Sequence, residues 1–123
     1  MDAQAWLLAA NFALYALISV VHQQSLRHPR APWVRWLVMR QFGPRTDTRR
    51  MGPADHFRSA AAFLAWFAAF FGLWLLNAYA GPPVAEASAV LLAINFLTAV
   101  FGLIWLAGAA WMLVLGTVAL VRR

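Results

Sequence analysis

Three stretches of this chain, residues 5–21, 59–80 and 87–121, contain no Asp, Glu, Lys or Arg. A helix rises about 1.5 Å per residue, so about 20 apolar residues cross a hydrocarbon core of about 30 Å. The stretches are 17, 22 and 35 residues long, so each has the reach of a span. A soluble domain carries roughly 25% charged residues. Here only 11% of the 123 residues are charged and 63% are hydrophobic, too little charge to cover a wetted surface. The expectation is an all-α integral membrane protein forming one domain over 1–123. Its core is a small bundle of three transmembrane helices, with four as the alternative.

The third stretch decides that count. As one helix it would be about 52 Å long. Split in two, its turn would fall near Gly102-Leu103-Ile104-Trp105, which offers no Pro and no polar group. A turn exposed to lipid leaves backbone groups unpaired at several kcal/mol each. One long, tilted helix is the reading taken. Ser88, Asn95, Gly102, Ala109 and Gly116 recur every seven residues along it, a seam of small or polar side chains suited to close, left-handed packing. A second ridge, Ala61, Ala65, Ala68 and Gly72, runs along the middle span beside Phe63, Trp66, Phe67, Phe70, Phe71 and Trp74. It is predicted to face a neighbouring helix.

Between the first two spans lies a polar stretch, 22–58, with eight Arg against Asp47 and Asp55, a net of +6. Short loops rich in Arg stay in the cytoplasm. The N-terminus is therefore expected outside, 81–86 becomes a short outer loop, and the C-terminal Arg122-Arg123 returns to the cytoplasm. The acidic start, Met1-Asp2-Ala3-Gln4, lacks the positive region of a secretory signal, so the first span is read as retained. Within the polar stretch, 31–42 is predicted to be a short amphipathic helix lying on the membrane. Pro32 suits its first turn and Gly43-Pro44 its stop, with Trp33, Val34, Trp36 and Leu37 on one side and Arg35, Arg40 and Gln41 on the other.

All ten basic residues are Arg, which grips phosphate through two parallel hydrogen bonds where Lys acts as a point charge. Trp33, Arg35, Trp36, Arg40, Arg45, Arg49 and Arg50 are accordingly the expected contacts to anionic lipid or to an acidic partner. Nucleic acid is not an expected partner, since the charge is tethered at the membrane and no recognition module accompanies it.

Candidate chemistry is sparse. The absence of Cys excludes disulfides, thiolate metal sites, iron–sulfur clusters and covalently attached haem. His22 closes the first span and His56 opens the second, so antiparallel neighbours would bring both to one level. There they could ligate a b-type haem or hold a quinone, although no cofactor and no metal is the primary expectation. Asp55, His56 and Arg58 resemble a catalytic cluster only superficially. Adjacent residues on a helix do not face one another, and Asp55 is better placed to cap a helix N-terminus. The spans also lack the intramembrane ionisable residue on which proton relays and ion-coupled transporters usually rely. Their polar residues are neutral: Asn11, Tyr15 and Ser19 at i, i+4, i+8 in the first, Asn77 in the second, and Asn95 with Thr98 in the third. Hydrogen bonding between helices is their expected role.

The function expected from these features is that of a non-catalytic accessory, assembly or stabilising subunit of a larger complex in a bacterial inner membrane, associating with other membrane subunits or with itself. The alternatives are a homo-oligomeric small channel or transporter, and a small haem- or quinone-binding membrane protein. The span count has a direct test. A reporter fused after Arg123 should be active on the same side of the membrane as one inserted in 43–55. Activity only on the opposite side would require a fourth span.

Overall fold

The computed structural model describes residues 2–28 and 52–122. Three helices fill them: α1, Ala3–Arg27; α2, Pro53–Ala80; and α3, Ala89–Val121, with a single 3-10 turn at Val84–Glu86. All three are long and apolar enough to cross a membrane, and no strand occurs among the described residues. The predicted surface helix over 31–42 lies outside the described residues.

Each helix starts where the sequence supplies a cap. Asp2 accepts the Ala5 N–H at 2.8 Å to open α1. α2 begins six residues ahead of its apolar span because Pro53 fits the first helical position, and the Asp55 carboxylate takes the Gly52 N–H at 3.1 Å. Ser88 accepts from Leu91 N–H at 3.2 Å to open α3. At the other ends, α1 runs six residues past its apolar span on good helix formers and stops at His28, which Pro29 in the sequence biases away from helical geometry. α2 stops at Gly81-Pro82-Pro83. α3 continues unbroken through Gly102–Trp105, so the sequence that offered no turn makes none.

Contacts at the ends fix the directions. Gln4, in the first turn of α1, donates to the Glu86 carbonyl at 3.3 Å and accepts the Ser88 N–H at 2.9 Å. The starts of α1 and α3 thus sit side by side with the end of α2, and α2 runs antiparallel to both. α1 ends, α2 begins and α3 finishes at the opposite end of the bundle.

The main interface joins α2 and α3 in an antiparallel zipper with a seven-residue step on both helices. His56, Phe63, Phe70 and Asn77 are buried along α2, and Gly116, Ala109, Gly102 and Asn95 run the other way along α3. A Cβ built on Gly116 would lie 3.2 Å from the His56 Cβ, and one on Gly102 would lie 3.7 Å from the Phe70 Cβ. Phe63 packs with Ala60, Ala109 and Met112, while Asn77 hydrogen-bonds Asn95. Bulky side chains of one helix therefore fill small positions on the other, the way membrane helices gain van der Waals contact without a hydrophobic driving force. A second cluster, Leu7, Leu91 and Ile94, holds the first half of α1 against α3.

The zipper predicts opposite outcomes for two glycines. An added Cβ at Gly102 meets ordinary contact distance, so Gly102→Ala should leave stability within about 0.5 kcal/mol. At Gly108 the same atom would lie 2.5 Å from Cε1 of the buried Phe63 ring. Gly108→Ala should lower stability by about 1–3 kcal/mol. Denaturant titration of both variants in one detergent reads the difference.

Candidate functional site

The polar residues of the three spans meet in one cluster. Asn11 of α1 and Asn77 of α2 form a reciprocal amide pair: Asn11 Nδ2 donates to Asn77 Oδ1 at 2.9 Å, and Asn77 Nδ2 donates back to Asn11 Oδ1 at 3.1 Å. The second N–H of Asn77 reaches Asn95 Oδ1 on α3 at 3.1 Å, and the second N–H of Asn11 is held by the Leu7 carbonyl at 2.7 Å. Thr98 Oγ1 lies 3.2 Å from Asn11 Oδ1 and 2.7 Å from the Ile94 carbonyl. A hydroxyl has one proton, so whichever of these Thr98 serves, its oxygen is free to accept from the Tyr15 hydroxyl at 3.2 Å. Asn11 and Thr98 are fully buried.

This cluster has no net charge and little unused capacity. Both amide protons of Asn11 and both of Asn77 are engaged, and Asn11 Oδ1 has two donors within reach. Its lower edge is aromatic: the Tyr15 ring meets Phe70 and Phe101 edge-on, with centroids 5.5 and 5.8 Å away. Asn11 stands eight residues into α1, about 12 Å along the axis, so the cluster lies in the third of the bundle nearest Gln4 and Glu86. It has the chemistry of a clamp. It carries no charge to attract an ion, and its two hydroxyls, on Tyr15 and Thr98, are engaged within it.

Ser19 does not join it. Eight residues along a helix turn a side chain by about 80°, so Ser19 rotates out of line with Asn11, is exposed, and bonds the Tyr15 carbonyl at 2.9 Å. Within the seven-residue seam, Ser88 serves as the α3 cap, Asn95 joins the cluster, and Gly102, Ala109 and Gly116 are buried against α2. The ridge Ala61, Ala65, Ala68 and Gly72 points the other way. All four are exposed, and a Cβ on Gly72 would touch nothing within 4 Å, so neither α1 nor α3 covers this face.

His22 on α1 is half-buried, and His56 is buried in the α2–α3 seam. The Nδ1 atom of each is enclosed without a hydrogen-bond partner, as is Trp105 Nε1 among the rings of Phe63, Trp66 and Phe70. No group of three or more His, Asp or Glu side chains gathers among the described residues. Asp55 and Arg58 form an ion pair at 3.6 Å beside the helix cap. Trp33, Arg35, Trp36, Arg40, Arg45, Arg49 and Arg50 fall outside the described residues. An apolar groove of about 220 Å³ opens between α2 and α3, lined by Phe67, Phe70, Phe71 and Trp74 on one wall and Thr98, Ala99, Gly102 and Leu103 on the other. Two of its lining residues, Phe70 and Thr98, also contact Tyr15 of α1.

Compared with protein-family models, curated proteins and solved structures, the chain matches none of them.

The clamp makes a quantitative prediction. Interhelical hydrogen bonds in membranes contribute about 0.6 kcal/mol on average and up to about 1.7. A double-mutant cycle on Asn11→Ala and Asn77→Ala should return a coupling near that upper value, because two bonds join the pair. Ser19→Ala should change stability by less than about 0.5 kcal/mol. Additive effects of the two Asn substitutions would show that the clamp is energetically idle.

Proposed function

We propose that this chain is a non-catalytic accessory, assembly or stabilising subunit of a larger complex in a bacterial inner membrane. The observation that carries the reading is a contrast between inside and outside. Asn11, Tyr15, Asn77, Asn95 and Thr98, drawn from all three spans, spend their hydrogen bonds on one another inside the bundle. The outer face of α2 is instead a ridge of small residues that no other described residue covers at Gly72. Small ridges on membrane helices let a second backbone approach closely. The proposed orientation has the N-terminus outside. It rests on the excess of Arg in the connection 29–51 and at Arg122-Arg123, both of which belong to one end of the bundle.

A homo-oligomeric channel would need polar faces of α1 and α3 to line a pore. Asn11, Tyr15, Asn95 and Thr98 spend their hydrogen bonds within the protomer, so the channel draws less support. The haem or quinone reading draws its support from the free Nδ1 atoms of His22 and His56.

Purification from the native membrane in mild detergent separates these readings. The proposed role requires other subunits to co-purify in fixed ratio. Gly72→Leu should abolish that association while leaving the stability of the isolated chain within about 0.5 kcal/mol of the original, since an added Cβ meets nothing within 4 Å. A pure homo-oligomer would favour the channel, and a Soret band in the optical spectrum would favour haem. Either result without companion subunits would reject the accessory role.

A further inference from the structure

The helix directions sort the charges of this protein by end. Asp2 and Glu86 lie at the end where Gln4 binds the α3 cap region. The connection 29–51, the helix ends that it joins, and the C-terminus hold all ten Arg against Asp47 and Asp55. The sequence therefore assigns a net of +8 (ten minus two) to one end and −2 to the other.

Three of those arginines are fixed by the helices themselves. Arg58 immediately precedes the uncharged span 59–80 and Arg122 immediately follows the span ending at Val121. Arg27 closes α1 six residues, about 9 Å, past Val21. Arg27 and Arg122 are exposed, and both sit at helix C-termini, where the terminal carbonyls favour positive charge. Arg58 and Arg122 emerge at the edge of the apolar surface, and Arg27, farther out, leans back toward that edge because helical side chains tilt toward the helix N-terminus. A guanidinium there keeps its stem in hydrocarbon and grips a phosphate bidentately.

We propose that Arg27, Arg58 and Arg122 form a binding collar for the phosphate of acidic phospholipids in the leaflet at this end. Their depth favours lipid over an acidic protein, whose carboxylates would meet arginines projecting farther from the membrane. The Asp55 partner of Arg58 lowers the charge of that member, so Arg27 and Arg122 dominate. The collar is independent of the subunit reading: a chain with no protein partner would still show it.

The test uses the full chain in mild detergent, with native mass spectrometry after exchange into equal phosphatidylglycerol and phosphatidylcholine. Phosphatidylglycerol should be retained at least about fivefold over phosphatidylcholine, with the preference shrinking in high salt. Arg27→Gln and Arg122→Gln should each reduce the preference by about fivefold or to the point where none remains. The Arg27→Lys/Arg122→Lys protein should keep most of it, and a melting curve on each variant separates lost binding from lost fold. Equal retention of the two lipids by the unaltered chain would overturn the proposal. So would a preference that survives in a folded Arg27→Gln/Arg122→Gln double variant, or an acidic protein that displaces phosphatidylglycerol.

Discussion

In hydrocarbon an amide side chain has no water to fall back on, so each Asn in a span must find its partner within the protein. The Asn11–Asn77 pair answers that requirement for α1 and α2 together, and the setting of α1 on the other two helices depends on it. The described interhelical bonds and ring contacts of α1 all come from its first half, residues 4 to 15. Without the amide pair, α1 would keep Leu7 against Leu91 and Ile94, the Gln4 bonds and the Tyr15 contacts. Apolar contact alone selects no rotation in lipid, because the lipid tails are as apolar as Leu. The directed amide bonds do select one. They set which face of α1 turns inward, and that choice brings Tyr15 over Phe70 and Phe101.

The α2–α3 zipper depends on a different quantity, the match of volumes. Its seven-residue step appears on both helices because 3.5 residues per turn keeps one seam facing the partner. Running antiparallel, the steps place His56 against Gly116 at one end and Asn77 against Asn95 at the other, with Phe63 and Phe70 between. The polar clamp and the zipper thus share Asn77. It is the last large member of the α2 stripe and also the hub of the cluster, so register and rotation are fixed by one side chain.

These two features were unequally legible in the sequence. The spans follow from the lack of charge, and the α3 seam follows from small residues every seven positions in a helix otherwise rich in large ones. The roles of Asn11, Tyr15, Asn77, Asn95 and Thr98 follow from polarity in an apolar background. The inward face of α2 does not. In water, hydrophobic periodicity marks the buried side because the other side is polar. In lipid both sides are apolar, and Phe63 and Phe70 look no more buried than Phe67 and Phe71. The small ridge was the only contrast available on α2, and the structure turns that ridge away from the bundle. Complementarity with α3 chooses the inward face: where α3 is small, α2 must be large, a relation between two helices that no single window contains. Ser19 shows the smaller version of this, since an i, i+8 relation drifts by about 80° on a straight helix and loses the face it started on.

The same reasoning bears on function. A membrane protein that moves ions or protons keeps an ionisable group at depth and bears the desolvation cost for it. This chain places Asn11, Tyr15, Asn77, Asn95 and Thr98 at depth in neutral form and bonds them to one another. The described charged side chains, Asp2, Arg27, Asp55, Arg58, Glu86 and Arg122, all lie outside the three uncharged stretches. The surfaces left for interaction are the small-residue face on α2, the aromatic groove between α2 and α3, and the proposed arginine collar. On α2 the large residues Phe63 and Phe70 face α3, and the small ridge at Ala61, Ala65, Ala68 and Gly72 faces away, which is the asymmetry on which the proposed association rests.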